Sequence, residues 1–577
     1  MTHISLALVG LMWVLPFLHY QHAYPLTTFD QEWWAVVLGL LATFTLVGKE
    51  YWKAPTTPRV IVLPLALILV ALLQLAIGRI AYFEQGMLYI LYLLFAALMM
   101  MLGASLRRSL GLDQVAYVLA IALLIGTELS AAIGIYQHFG MHSWLDFVVV
   151  RKISAGLYGN LAQANHYADY IMLGVASLGL LYQQRKLALG YVVTLALPLL
   201  FVLTLSGSRT SWLYMFATVV LSAWMSYKNR TLRPLLYYSL CITVGYLAMH
   251  GLVQLPMLAG QNVDTNSLRM SDTSGHIRLY LWREALLIFS QAPLLGVGFG
   301  QFALHHLELL PLLQPNQVTG LYNNAHNVVL QLAAETGLAG LIALISATGI
   351  WLYGLRRGVG SAAHWWSYAL IFVITIHALL EYPLWYAYFL GILAFLLGLG
   401  DESSLSVPAS KYGRIGLLLF VLMGCTVAVQ LRFNYWQLQS AMSEEVVSGQ
   451  PLSNPMQNLT AIRNSSFLLR PYIDRLIGNY MSVNSLQLKE KIAFNTNSLH
   501  FIPTAEVVYR QALLLAQDGR LEDARIMMLQ AIWSYPNNVS AMNLLKRLAE
   551  KDPAHFSALL EFAVEKEQEI ARAVRIK

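Results

Sequence analysis

Five short stretches hold the side chains that could do chemistry, and each lies against a long apolar run. In SGSRTSW (residues 206–212) the candidate is Arg209. Its guanidinium is a planar fork suited to phosphate oxygens, and it keeps its charge near lipid. A lone arginine there also fits one that snorkels to headgroups. The small hydroxyl and glycine neighbours, and the scarcity of basic residues on that side, favour anion binding. GNLAQANHYADY (159–170) gathers Asn160, Gln163, Asn165, His166 and Asp169 at the mouth of an apolar run. Such amides and imidazoles suit sugar hydroxyls or an acceptor side chain, and equally a hydrated loop with a helix N-cap at Asn165. NNAHNVVLQLAAETG (323–337) supplies His326, either a general base, a hydrogen-bond donor to a phosphate oxygen, or simply a residue at a helix start. In ALLEYPLWYAYF (378–389), Glu381 and Tyr382 precede Pro383. An aromatic belt at a membrane interface explains the Trp and Tyr residues but not the carboxylate.

The fifth stretch, HIRLYLWREALLIF (276–289), reads as a helix too short and too charged to span a bilayer. Its Arg278 and Arg283 are five apart and do not share one face closely. Arg278, preceded by the small and flexible SGH, is the stronger candidate. The following LLGVGFGQF (294–302) is rich in glycine but lacks the Lys-Ser/Thr or strand setting of a phosphate loop. No His/Cys set has zinc spacing and no aspartate-rich pair suggests magnesium. The expectation is therefore no obligatory metal and no cofactor, which argues against a metal-dependent glycosyltransferase of the DxD kind.

The elements that must position these residues are membrane helices. Hydrophobic residues make up 57% of the 577 and charged residues only 12%, about half the roughly 25% of a soluble domain. The mean hydropathy is +0.56. The net charge of +7 does not mark a nucleic-acid binder, because the basic residues are scattered between apolar spans and form no stripe. Apolar runs begin near Ile4, Trp33, Val60, Met87, Gln114, Tyr167, Leu187, Ser211, Pro234, His326, His364, Trp385 and Ile415, about thirteen spans in an all-α polytopic fold. The first run has no basic n-region or cleavage site and is expected to be retained. Cys241 and Cys425 fall inside apolar spans, where packing as small hydrophobes is expected over a disulfide.

Basic residues occupy every second connection: Lys49/Lys53/Arg59, Arg107/Arg108, Arg185/Lys186, Lys228/Arg230/Arg233, Arg356/Arg357 and Lys411/Arg414. The short opposite connections hold only Arg79, Arg151, Lys152 and Arg209. This bias places the N-terminus in the cytoplasm and the candidate residues outside it. The expected division is a transmembrane domain over residues 1–432, including a large outer loop at 251–325, and an outer helical domain over 433–577. Within the latter, residues 505–538 match a tetratricopeptide-like hairpin, with Gly519 at the turn, Ala524 and Ala531 at the crossing and Pro536 at the end. A generic helical hairpin fits the same pattern.

The ordered set SGSRT, IRLYLWREA, LLGVGFGQF and AHNVVLQLAAETGLAG resembles the O-antigen ligase/polymerase (Wzy/WaaL) superfamily. PLTTFDQEWW (25–34), GNLAQANHYA and EYPLWYAYF narrow the resemblance to PglL-type protein O-oligosaccharyltransferases of Gram-negative inner membranes. That likeness covers nearly the whole membrane part. It implies an undecaprenyl-diphosphate-linked glycan as donor and Ser or Thr of a periplasmic protein, such as type IV pilin, as acceptor. It also implies that His326, Gln163 and Tyr382 matter for activity and that Arg209 and Arg278 handle the diphosphate. Ala164 stands where relatives often have proline, which loosens that turn. His326 is the first candidate for the base and Glu381 the second. Asn160, His166 and Arg283 complete the candidate substrate contacts. An O-antigen ligase acting on lipid A core, a polysaccharide polymerase, and a transporter of lipid-linked glycan are the alternatives; the lack of an inverted repeat speaks against the last.

Overall fold

A computed structural model describes residues 1–152, 156–258, 274–314, 319–355, 360–401, 404–448 and 455–575. Arg356 and Arg357 lie outside the described residues, as do 259–273 of the large loop. In chain order the helices are α1 (Thr2–Met12), α2 (Leu15–Leu18), α3 (Phe29–Ala42), α4 (Val62–Ala76), α5 (Phe83–Leu110), α6 (Leu112–His138), α7 (Ala164–Gln183) and α8 (Leu189–Leu205). There follow α9 (Thr210–Lys228), α10 (Arg233–Leu252), α11 (Ser274–Gln291), α12 (Phe302–Leu313), α13 (Val328–Leu355), α14 (Ala362–Ala378), α15 (Ala387–Gly400) and α16 (Lys411–Ser448). The last seven are α17 (Pro455–Ser465), α18 (Arg470–Gly478), α19 (Leu488–Phe501), α20 (Ala505–Gln517), α21 (Leu521–Ser534), α22 (Val539–Lys551) and α23 (Pro553–Arg575). Two short antiparallel strands, β1 (Thr56–Pro58) and β2 (Ser404–Ser406), form a single ladder.

Every apolar run read from the sequence falls on a helix. Lipid offers no partner for backbone N–H and C=O groups, so a chain of this composition satisfies them within helices. Among the described residues, six helical stretches are long and apolar enough to cross a membrane by length and composition, and five shorter apolar ones accompany them. The first run is not one straight helix: it breaks at Trp13 and Val14 between α1 and α2.

The chain divides into two compact units. The first comprises Met1–Ala66, Tyr92–Thr273 and Ala343–Val429. Helix α7 lies at its centre, buried on nearly every side from His166 to Leu181, with α6, α8, α9, α10 and α14 around it. Small residues permit that crowding. A Cβ on Gly174 would fall 2.1 Å from the Thr127 hydroxyl, so only glycine allows α6 this close. Large aromatics fill the remaining space: Trp13 stacks on Trp366 and Phe17 on Tyr170, the latter pair 4.0 Å apart. Cys425 is half-buried, whereas Cys241 is exposed on the outside of α10 instead of packed; neither forms a disulfide.

The second unit comprises Leu67–Leu91, Ser274–Ile342 and Gln430–Lys577. Its last stretch begins three residues before the 432/433 division read from the sequence, and its other two stretches lie earlier in the chain. The reason is that the large loop is not a loop throughout. Besides the expected helix α11 it forms α12, whose Leu304 and Leu307 join the core of the α20–α23 bundle. Helices α20 and α21 form the expected hairpin, with Gly519 at φ +77° in its turn and Ala524 and Ala531 fully buried. The glycine-rich stretch 294–302 clasps α13: Val297 and Gly298 donate to the carbonyls of Ala334 and Glu335, at 3.0 and 3.1 Å. A Cβ on Gly296 would sit 2.1 Å from the Glu335 backbone, and α13 itself breaks at Gly337 (φ 63°) to admit the clasp. Those glycines are accounted for by packing.

Candidate active site

In the first unit the candidates cluster where α7, α9 and the α14–α15 turn begin or end. Gln163 is the N-cap of α7: its side-chain oxygen accepts from the His166 N–H at 2.5 Å. The sequence had suggested Asn165 for that part. Glutamine is an uncommon cap because its longer side chain must fold back, and here the left-handed backbone at Ala162 (φ 55°) brings it round. Ala164 is the first helical residue, the position where proline is best tolerated, so the turn closes without it. Asn160, expected to touch substrate, has its amide engaged within the protein. Its oxygen accepts from the Val150 N–H at 3.0 Å, and its nitrogen donates to the carbonyls of Leu18 and Val148, both at 2.8 Å. It pins the loop to the C-terminal end of α2.

Asn165, freed from capping, bridges three elements. Its nitrogen donates to Glu381 Oε1 at 3.1 Å and its oxygen accepts from the Ser208 hydroxyl at 2.8 Å. Ser208 in turn lies 3.0 Å from the Thr210 hydroxyl. Between those two residues stands Arg209, half-buried at the start of α9, after a turn that Gly207 makes at φ 67°. Glu381 is 5% exposed, and its N–H donates to the carbonyl of His377 at 2.7 Å. Tyr382 is half-buried and stacks on Tyr386, whose ring meets that of His166 at 4.9 Å. An apolar groove of about 650 Å³ runs from this end along α9 and α14, lined by Leu213, Phe216, Val220, Phe372, Ile376 and Leu380 among others.

Two further contacts join the motifs. Glu32 of α3 accepts from the Ala387 N–H at 2.6 Å and from the Tyr92 hydroxyl at 3.0 Å, capping α15. Below Glu381, Asp169 and His377 form a pair at 2.9 Å with neither side chain exposed. His377 is absent from the residues singled out in the sequence. The signal was present, since both members interrupt apolar spans and each lies four residues from a polar residue at the span's edge.

In the second unit His326 stands ahead of α13 at φ 53°, a left-handed conformation uncommon for a residue with a Cβ. Its neighbours enforce it. Asn324 Oδ1 accepts from the His326 N–H at 2.7 Å, and Gln331 Oε1 from the Ala325 N–H at 2.7 Å. Asn327 Oδ1 caps the helix through the N–H groups of Val329 and Leu330, at 3.0 and 3.1 Å. Strain of this kind, held by a surrounding network, is typical of functional positions. Ala325 packs in one cluster with Leu281, Ala285 and Ile288 of α11. On that helix Arg278 is half-buried and Arg283 exposed. The buried Glu284 pairs with His306 at 2.7 Å, an interaction that nothing in the sequence pattern distinguished. Among the described residues no group of three His, Cys, Asp or Glu is placed to hold a metal ion.

Similarity to known families places this helical, apolar chain among the membrane glycan ligases. Residues 193–345 match the O-antigen ligase family, 365–549 the C-terminal part of the membrane-bound polymerase virulence factors, and 157–182 the protein glycosylation ligases. The chain is 30% identical over 440 residues to the general O-oligosaccharyltransferase of Acinetobacter baylyi, covering 73% of this chain and 74% of that one. It is 23% identical over 484 residues to the ComP-specific O-oligosaccharyltransferase of the same organism, covering 83% and 86%. The chain belongs to the PglL-type protein O-oligosaccharyltransferases of the O-antigen ligase/polymerase (Wzy/WaaL) superfamily. It is a multi-pass membrane glycosyltransferase of protein O-glycosylation, using a lipid-linked glycan donor and a protein acceptor.

Proposed function

We propose that this enzyme sits in the inner membrane and moves a glycan from undecaprenyl diphosphate to Ser or Thr of periplasmic proteins, type IV pilin among them. The chain crosses thirteen times with its N-terminus in the cytoplasm, as the alternation of basic connections suggests. Residues 1–432 carry the reaction. Residues 433–577 form a periplasmic helical domain whose tetratricopeptide-like hairpin helps recruit acceptors.

In the reaction the acceptor hydroxyl oxygen bonds to the anomeric carbon, the bond from that carbon to the diphosphate oxygen breaks, and the hydroxyl proton passes to a base. The lipid diphosphate leaves with the bonding electrons. Arg209 and Arg278 stabilise the charge it gains, a contribution that preorganised cations make best where water is scarce. His326 takes the proton, with Glu381 the second candidate. Gln163 and Tyr382 shape the acceptor side, His166 supports Tyr386, and Arg283 supplies a further substrate contact. Asn160 acts by holding the loop. The apolar groove along α9 and α14 suits the first isoprene units of the carrier, since its lining is apolar and begins at Leu213, one turn after Arg209 on α9.

The observation that carries this reading is the buried Glu381 carboxylate held by Asn165, which also grips the hydroxyl next to Arg209. The test is purified protein with a defined undecaprenyl-diphosphate glycan and pilin. Glycosylated pilin is expected. Transfer to lipid A core would instead favour the ligase reading that the match over 193–345 supports. Lengthening of the glycan would favour a polymerase, and no transfer at all a transporter.

A further inference from the structure

Helices α7 and α14 are joined by polar rungs that neither helix needs for its own stability. Trp366 donates to the Ser177 hydroxyl at 3.0 Å, Asp169 pairs with His377 at 2.9 Å, and Asn165 donates to Glu381 at 3.1 Å. The spacing is that of one face on each helix, continued on the α14 side by Glu381 in the turn just past Ala378. Residues 165, 169 and 177 are separated by four and eight, and 366, 377 and 381 by eleven and four. The middle rung is the costly one. Two ionisable side chains sit fully buried between apolar helices, where desolvation offsets most of their attraction and a pair of apolar residues would pack at least as favourably. His377 also accepts through its carbonyl from the N–H groups of Leu380 and Glu381, at 3.0 and 2.7 Å. One residue therefore ties α14 to α7 through its ring and closes the turn that delivers Glu381 through its backbone.

We propose that Asp169 and His377 are positioning residues for the Glu381 carboxylate. They fix the azimuth and height of α14 on α7, so that Glu381 meets Asn165 and presents its carboxylate toward the reacting groups. The imidazole donates from Nδ1 to Asp169, which sets its tautomer. This inference rests on the proposed participation of Glu381 in transfer.

The experiment compares purified full-length variants in detergent by thermal melting and by steady-state transfer from a lipid-linked glycan to protein acceptor. In Asp169→Leu/His377→Leu the melting temperature is expected to equal or exceed the parent's. Its kcat should fall tenfold or more, with KM for the donor changed less than threefold. Asp169→Asn, which can still accept from Nδ1–H, should keep kcat within threefold and serves where the apolar pair does not fold. Removing the lower rung with Ser177→Ala/Trp366→Phe should lower the melting temperature and leave kcat near the parent's. Parental kcat in the apolar double variant overturns the proposal, as does an equal loss of kcat in the lower-rung variant, which would show activity tracking helix packing alone. Loss of kcat in Asp169→Asn equal to that in the double variant also overturns it. Glu381→Gln separates the two readings. If it is slow while the apolar pair is normal, positioning fails and the Glu381 role stands; if it is as fast as the parent, the Glu381 role fails.

Discussion

Asn165 is the residue whose replacement tests the site most sharply, because it faces two partners with opposite demands. It donates to Glu381 at 3.1 Å and accepts from Ser208 at 2.8 Å. Asn165→Ala removes a hydrogen bond to a buried charged group, worth about 2 kcal/mol, or about thirtyfold in rate if the bond persists in the transition state. Asn165→Asp keeps the acceptor for Ser208 but sets a carboxylate 3.1 Å from Glu381. At an effective dielectric of about 20, two such charges repel by about 5 kcal/mol, so one of the two must carry a proton. The aspartate variant should therefore be slower than the alanine variant near neutrality and regain activity as the pH is lowered. The assay is single-turnover transfer at saturating donor, with melting temperature as the control for folding. Parental rates in both variants, or an aspartate variant whose deficit does not change with pH, would refute the claim that Asn165 holds Glu381 for catalysis.

Three further outcomes are expected. His326→Gly should melt no lower than the parent, since glycine adopts φ 53° without strain, yet lose single-turnover transfer with donor binding intact; His326→Val should lose both. Gln163→Ala should cost about 1 kcal/mol of stability through the lost cap, and Gln163→Ser should recover it; transfer that stays low in the serine variant marks a role for the glutamine beyond capping, whereas full recovery removes it. Ala531→Leu, at a fully buried position of the α20–α21 hairpin, should destabilise by about 1–3 kcal/mol through overpacking. If the tail recruits acceptors, transfer to folded protein should fall in that variant while transfer to a short acceptor peptide does not.

Much of the fold was legible because lipid leaves a chain few choices. The thirteen apolar runs mark helices wherever hydropathy is high and charge absent, and the α20–α21 hairpin was readable from Gly519, Ala524 and Ala531. Helix α12 was not. FALHHLELLPLL carries two histidines, a glutamate and Pro311, and it follows a glycine-rich clasp, so it looks like loop. It became a helix because Leu304 and Leu307 find a partner core about two hundred residues later in the chain, which no local pattern encodes. The pairing of α7 with α14 was equally hidden. A helix buried on nearly all sides has no hydrophobic face to point at a neighbour, so the opposition of Asp169 to His377 depends on packing.

The candidate site was legible as a set of residues but not as a set of jobs. Asn160 and Gln163 belong to a motif that reads as sugar-binding amides and Asn324 to the motif that supplies His326, yet each satisfies backbone groups: Asn160 those of Leu18, Val148 and Val150, Gln163 that of His166, Asn324 that of His326. Where lipid replaces water an unsatisfied backbone group costs several kcal/mol, so helix ends beside a membrane site must be capped from within the protein. Glu32 shows the same demand across more than 350 residues of sequence, closing the N-terminus of α15 from α3. Motif membership alone therefore cannot distinguish a group that touches the glycan from one that caps the helix carrying it. Loss of activity on alanine substitution cannot do so either, because both kinds fail. Substitutions that restore the cap while changing the side chain's reach separate them, and by that criterion Gln163 and His326 are the informative positions, since each has a structurally tolerated replacement that abolishes the chemistry assigned to it.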